Sequence, residues 1–247
     1  MCRHRLEHHL RGRLHPEAAL HRLGWRVLAI DFDRQNALQL HFELPNEGAP
    51  GIADAVESGR DWTDLVVETR GGIYLIPFGT VSATSCLRVQ NHVDRNPGWI
   101  RSQLEPFFEH RDVVVVADMP PGPSPYNVEV DPVTDLQMIV LLADAVSLAL
   151  VPKLQSGDYL IDGAAERLAQ TGYVLNQVEP QRQLCSDVIA LSQEVLGPDL
   201  FGQVHRDEAV AEAVACQSTV LDYAPDSIAG RDIAALAQRM HECLALG

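Results

Sequence analysis

Val113 to Gly122 reads V-V-V-V-A-D-M-P-P-G. Four valines and an alanine make an apolar run too short to span a membrane, and they suit a strand buried on both faces of a parallel sheet. The run stops at Asp118, soon followed by Pro-Pro-Gly, which cannot continue a central strand. Asp118 is therefore expected at the carboxyl end of a central strand, where open α/β sheets place their ligands. An Asp at such a tip can hold a nucleotide-bound Mg²⁺, directly or through water. It can equally cap a turn.

Composition bounds the rest. The chain has 247 residues, 46% of them apolar, which suffices for one large α/β domain. A formal charge of −15 argues against nucleic acid as a direct partner. Cys2, Cys86, Cys185, Cys216 and Cys243 form no C-x-x-C pair and no even framework, as expected of thiols in a reducing compartment. No apolar run reaches membrane-spanning length and no signal peptide opens the chain, so the expectation is a cytoplasmic protein without a transmembrane segment. The charge is uneven. Residues 1–22 carry five Arg and five of the ten His, whereas lysine occurs once, at Lys153.

Residues 1–16, M-C-R-H-R-L-E-H-H-L-R-G-R-L-H-P, show neither helix nor strand period. His4, His8 and His9 lack a Cys or Asp at a familiar metal-ligand spacing. From Pro16 to Gly24 a short helix is predicted, with Gly24 at its C-terminal cap. Strands are predicted at 25–30, 73–79, 113–118, 145–151, 171–176 and 201–205. Helices are predicted at 49–59, 61–68, 97–110, 131–142, 157–170, 182–196, 207–216 and 226–246. Alternating strands and helices imply a mostly parallel, doubly wound sheet covered on both faces. Nothing resembles a linker between domains.

Four predicted strand ends carry polar residues. Asp31 and Asp33, at i and i+2 in D-F-D, should point to one side at the carboxyl edge, where two carboxylates can orient a water and a magnesium ion. A solvated acidic turn is the plainer reading. Asp118 is the second. Asn176, in V-L-N-Q, offers an amide that can both donate to and accept from a purine edge, although Asn ends strands for many reasons. His205-Arg206-Asp207 opens a helix, and there N-capping by Asp207 is the safer interpretation. No G-x-G-x-x-G follows a strand, which disfavours a dehydrogenase.

V-L-A-I-D-F-D-x-x-N from Val27, the Asp118 strand, V-L-N-Q, and H-R-D-E-A-V-A-E-A-V-A from His205 occur in the order found in the MinD/ParA superfamily of deviant Walker ATPases. L-A-I-D at Leu28, D-W-T-D-L at Asp61, L-I-P-F-G at Leu75 and H-R-D-E-A resemble, within it, the BcsQ (YhjQ) family of bacterial cellulose-synthesis operons. The resemblance spans about residues 16–247. It implies a P-loop NTPase fold that uses ATP and Mg²⁺. It implies that Asp33 orients the hydrolytic water with Asp31 beside it, and that Asp118 acts on Mg²⁺ through water. Asn176 would bind adenine, with His205 and Asp207 flanking the base. It further implies a homodimer closed around nucleotide. The partners would be the cellulose synthase complex and small cytoplasmic Bcs proteins, and the location the inner-membrane surface or cell pole. A nucleotide-free scaffold and a partition or positioning ATPase are the alternatives. The C-terminal run Ile233 to Gly247, mostly apolar with one Arg, lacks the basic face of a membrane-cycling helix and reads as core.

One departure is large. The superfamily opens with a strand and a loop of the K-G-G-x-G-K-[ST] kind, whose amides cradle phosphates. Residues 1–24 contain only Gly12 and Gly24 and no lysine. The sequence thus predicts a fold whose first strand and phosphate loop are missing, with residues 1–16 outside a single domain at 17–247. Two origins stand side by side: residues 1 to about 16 read from a wrong frame or start, or a gene that has lost its loop and encodes a nucleotide-free binding module.

Overall fold

The computed structural model describes residues 4–10, 14–42, 44, 48–79, 82–110, 112–122, 124–156 and 170–246. Its strands are β1 (His4–Leu10), β2 (Arg26–Asp31), β3 (Val67–Glu68), β4 (Tyr74–Ile76), β5 (Val113–Met119), β6 (Leu136–Leu142), β7 (Thr171–Val178) and β8 (Leu200–His205). They form one sheet in the order β3-β4-β2-β5-β1-β6-β7-β8. Every pairing is parallel except the β3–β4 edge. The helices are α1 (Pro16–Arg22), α2 (Ile52–Ser58), α3 (Ala83–Arg95), α4 (Trp99–Leu104), α5 (Pro125–Val130), α6 (Ala145–Leu148), α7 (Val151–Gln155), α8 (Gln183–Leu196), α9 (Glu208–Ala215), α10 (Val220–Tyr223) and α11 (Ile228–Leu246).

The valine run is buried on both faces, as its composition requires. Val114 and Val116 join a core with α1 and α11, whereas Val115 and Ala117 join a second core with α2 to α5. Leu141, Tyr173 and Leu175 anchor a third beneath α8. The C-terminal helix is core, with Ile233, Leu236, Ala237, Met240 and Leu244 buried.

Three expectations are corrected. The first strand is present: β1 lies at the sheet centre, paired from His4↔Val114 to His9↔Met119 on one side and from Leu6↔Leu136 to Leu10↔Val140 on the other. Without it two rows of backbone donors and acceptors would face each other unpaired. That requirement, rather than side-chain pattern, makes a strand of H-R-L-E-H-H-L. Second, 136–142 is strand and 145–155 is helical, the reverse of the prediction. L-Q-M-I-V-L-L is buried on both faces and carries no helical stripe, while Asp144 caps α6 by accepting from Ser147 N–H. Lys153 therefore sits on a helix. Third, the predicted helix 61–68 is a 3-10 turn, Trp62–Leu65, leading into β3, and 97–110 is α4 followed by a 3-10 turn. Helix α3 is polar enough to have escaped notice; it buries only Ser85, Val89 and Val93. The predicted helix 157–170 falls almost wholly on 157–169, outside the described residues.

Candidate functional site

Because β2, β5, β7 and β8 run parallel, their carboxyl ends meet at one edge. A cleft of about 660 Å³ opens there. Asp33, Asp118, Asn176, His205 and Asp207 all line it, drawn from four separate strand ends. Each side chain is held differently. Asp118 is 6% exposed, beside Asp31 in the β2–β5 register. Asp33 accepts from Gln35 N–H at 2.9 Å, an Asx turn at the cleft rim. The Asn176 Oδ1 accepts from Gln177 N–H at 2.8 Å. The His205 ring and backbone N–H both meet Asp232 Oδ2, at 2.8 and 2.9 Å.

Asp31 does not stand beside Asp33 on one face. It is fully buried, and its two oxygens accept from Asp33 N–H at 2.9 Å and Leu38 N–H at 3.0 Å. The i, i+2 rule fails because β2 ends at Asp31 and the chain turns. Asp31 thus shapes the loop that carries Asp33. That loop is pinned from the far side by Asn36, whose amide donates to Gly79 carbonyl at 3.1 Å and accepts from Phe78 N–H at 2.9 Å. D-x-x-N and L-I-P-F-G, distant in sequence, are two halves of one lock. Gly79, at φ +94°, lies against Gly51, and a Cβ on either would overlap the other's backbone.

Asp207 is the N-cap of α9, accepting from Ala209 N–H at 3.0 Å. It also accepts from Ala229 N–H at 3.2 Å, so one carboxylate serves the starts of α9 and α11. Those amide hydrogen bonds, led by Ala209, hold its carboxyl below the usual range despite some desolvation.

The end of the cleft toward α1 has another character. Pro16 occupies the first position of α1 and removes a backbone donor. His15, before it, has φ +45° and makes no side-chain cap. Glu17, in the first turn, is 1% exposed, and its Oε2 has no hydrogen-bond partner. Burial raises its carboxyl to about 7; its own backbone N–H works against this and the charge of Asp31 adds to it. His15 Nδ1 lies 3.8 Å from Glu17, and the His15 ring stacks on His41 with centroids 3.5 Å apart. A phosphate cradle needs several free amides, a positive helix end and glycine at close approach. Among the described residues here stand a proline, a buried acid and two imidazoles, while residues 11–13, between β1 and α1, lie outside the described residues.

The family description "Cellulose biosynthesis protein BcsQ" matches residues 15–244. The chain belongs to the BcsQ family. It is 26% identical over 225 residues to the cellulose biosynthesis protein BcsQ of Salmonella typhimurium, covering 89% of this chain and 83% of that one. It is 27% identical over 222 residues to the BcsQ of Escherichia coli K12, covering 89% and 83%. Among solved structures it is similar to the septum site-determining protein MinD of Pyrococcus horikoshii in complex with Mg-ADP. That match has a TM-score of 0.73 at 15% identity and covers 98% of both chains. The ATP complex of a Cyanothece McdA variant matches with a TM-score of 0.71 at 18% identity, over 98% of this chain and 96% of that one. These matches establish the MinD/ParA P-loop NTPase fold for this BcsQ chain. Among the described residues, no helix is long and apolar enough to cross a membrane.

Glu17 and Asp232 were not foreseen. Nothing in P-E-A-A-L marks Glu17 as buried. Asp232 comes to His205 from α11, 27 residues later. Asn36 ends the D-x-x-N run, but its bridge to Phe78 and Gly79 needs the fold.

Proposed function

We propose that this BcsQ chain acts in cellulose secretion as an accessory scaffold, supporting assembly or localisation of the synthase complex at the inner membrane. It would do so from the cytoplasmic side, together with small cytoplasmic proteins of the same machinery. The single observation that supports the non-hydrolytic part is the start of α1, where Pro16 removes a backbone donor and the buried Glu17 carboxyl has an oxygen without a hydrogen-bond partner. The family match supports the cellulose part. On this reading Asp31, Asp33 and Asp118 persist as architecture: Asp31 fixes its loop, and the carboxylates of Asp33 and Asp118 no longer serve turnover. Asn176, His205 and Asp207 form the end that still suits a nucleoside.

Deleting the gene in its host tests the role. Secreted cellulose should fall to near background and return on complementation with the unaltered gene. Complementation with Asp118→Ala should restore it equally, because no hydrolysis is involved. Unchanged cellulose in the deletion strain would end the cellulose reading. ATP turnover by the purified chain that disappears in Asp118→Ala would end the scaffold reading and favour a positioning ATPase.

A further inference from the structure

Helix α3 is flanked by two grooves, and neither is lined by a residue of the cleft. Between α3 and α5 a groove of about 540 Å³ is walled by Leu87 and Val128, which are 60% and 48% exposed. Between α3 and α2 a groove of about 700 Å³ is walled by Arg88 and Arg95. The helical period makes this pattern. Arg88, Asn91 and Arg95, at i, i+3 and i+7, share one face, and Leu87, Asn91 and Asp94, at i, i+4 and i+7, share the next. Asn91 belongs to both faces and lines both grooves, so it stands on the ridge between them.

The two flanks differ in chemistry. On the α2 side, Arg88 donates to Glu57 at 2.6 Å through one of its amines. Arg95 is exposed and forms no hydrogen bond or ion pair with another described residue. A cation in the last turn suits the helix dipole, which explains its place and leaves its planar fork free for a carboxylate. Two guanidinium groups in one groove run against the formal charge of −15 of the whole chain. On the α5 side the wall is apolar, and Asp94 at its edge turns away an acid. The Asn91 amide on the ridge offers one acceptor and two donors, enough to pair with both the N–H and the carbonyl of a peptide backbone.

We propose that α3 and its two grooves bind an extended acidic segment of a partner protein. An apolar side chain of that segment seats between Leu87 and Val128. Asn91 pairs with the backbone where the segment crosses the ridge. A carboxylate a few residues away meets Arg88 and Arg95. An extended segment brings unpaired backbone groups of its own, which the ridge amide answers, and it advances about 3.3 Å per residue, so a short stretch reaches both grooves. The unlike flanks fix its direction: the acid is drawn to the α2 side and repelled by Asp94 on the other. This surface goes beyond the role proposed above, and its test is independent of the cleft and of cellulose.

Fluorescence anisotropy of the full chain with three capped, labelled peptides tests this. The first carries a leucine followed by aspartates in a glycine–serine background. The second has lysines for the aspartates, and the third alanine for the leucine. Charge alone predicts that so acidic a chain attracts the lysine peptide. The proposal expects the reverse, with the leucine–aspartate peptide binding about tenfold more tightly than either counterpart. Arg95→Glu should weaken that peptide about tenfold, and Leu87→Ser should bring the leucine-to-alanine ratio near one. Both side chains are exposed, so circular dichroism of the variants should match the parent. A lysine peptide that binds as well or better, a leucine–aspartate peptide that does not bind, or an affinity indifferent to Arg95→Glu overturns the proposal. Sedimentation that shows a dimer of the parent and a monomer of Leu87→Ser also overturns it, by giving this face to a second copy of the chain.

Discussion

Glu17 is the residue whose chemistry departs furthest from its surroundings. It is a carboxyl sealed under α1 with an oxygen lacking a hydrogen-bond partner, raised to about 7 from its ordinary 4.5. Because its folded pKa lies above its unfolded value, the protonated form is favoured by folding. The unaltered chain therefore keeps this contribution below about pH 4.5 and loses it as pH rises toward 7. Glu17→Gln removes the titration. Urea midpoints should show the variant more stable at pH 8 by up to about 3 kcal/mol, with little difference at pH 4.5. A parent whose stability rises between pH 5 and 7, with no gain in Glu17→Gln, would refute the buried-acid account. Asn36 offers a second test. Its amide closes the lock between D-x-x-N and L-I-P-F-G, so Asn36→Ala should cost about 2 kcal/mol by leaving Phe78 N–H and Gly79 carbonyl without their partner. A midpoint unchanged from the parent would show that the loop holds without it.

At the scale of elements, Asp207 joins two helices through one side chain. Asp207→Ala should destabilise the chain by about 1–2 kcal/mol, the upper part of the range for an N-cap, because Ala209 and Ala229 both lose an acceptor. Asp207→Asn should recover much of this, since an amide oxygen can still accept. The parent's advantage over the alanine variant should shrink in acid, as pH falls through a carboxyl pKa held below the usual range. Asp207 was legible in the sequence as a cap because capping is local. The Asp118 strand was legible because a β-branched run ending at Pro-Pro can be little else. L-Q-M-I-V-L-L was not, since a run buried on both faces has no period by which to tell strand from helix. The five residues that meet at the cleft could be placed at strand ends from sequence alone, whereas Asp232 could not, because α11 brings it back across the sheet edge only in the folded chain.

At the scale of the whole molecule, the sheet order places β1 where no reading of its side chains would have put it. The half β3-β4-β2-β5 and the half β6-β7-β8 are neighbours only through β1. This arrangement has a kinetic consequence. On the ribosome, β1 finds its partners, Val114 onward and Leu136 onward, only after more than a hundred further residues have been made. Contacts of such long separation raise the contact order and slow the search for the native topology. Until they form, each half-sheet exposes an open inner edge able to pair with another chain. Insertion of β1 completes the sheet, and the yield of folding should depend on how long those two edges wait.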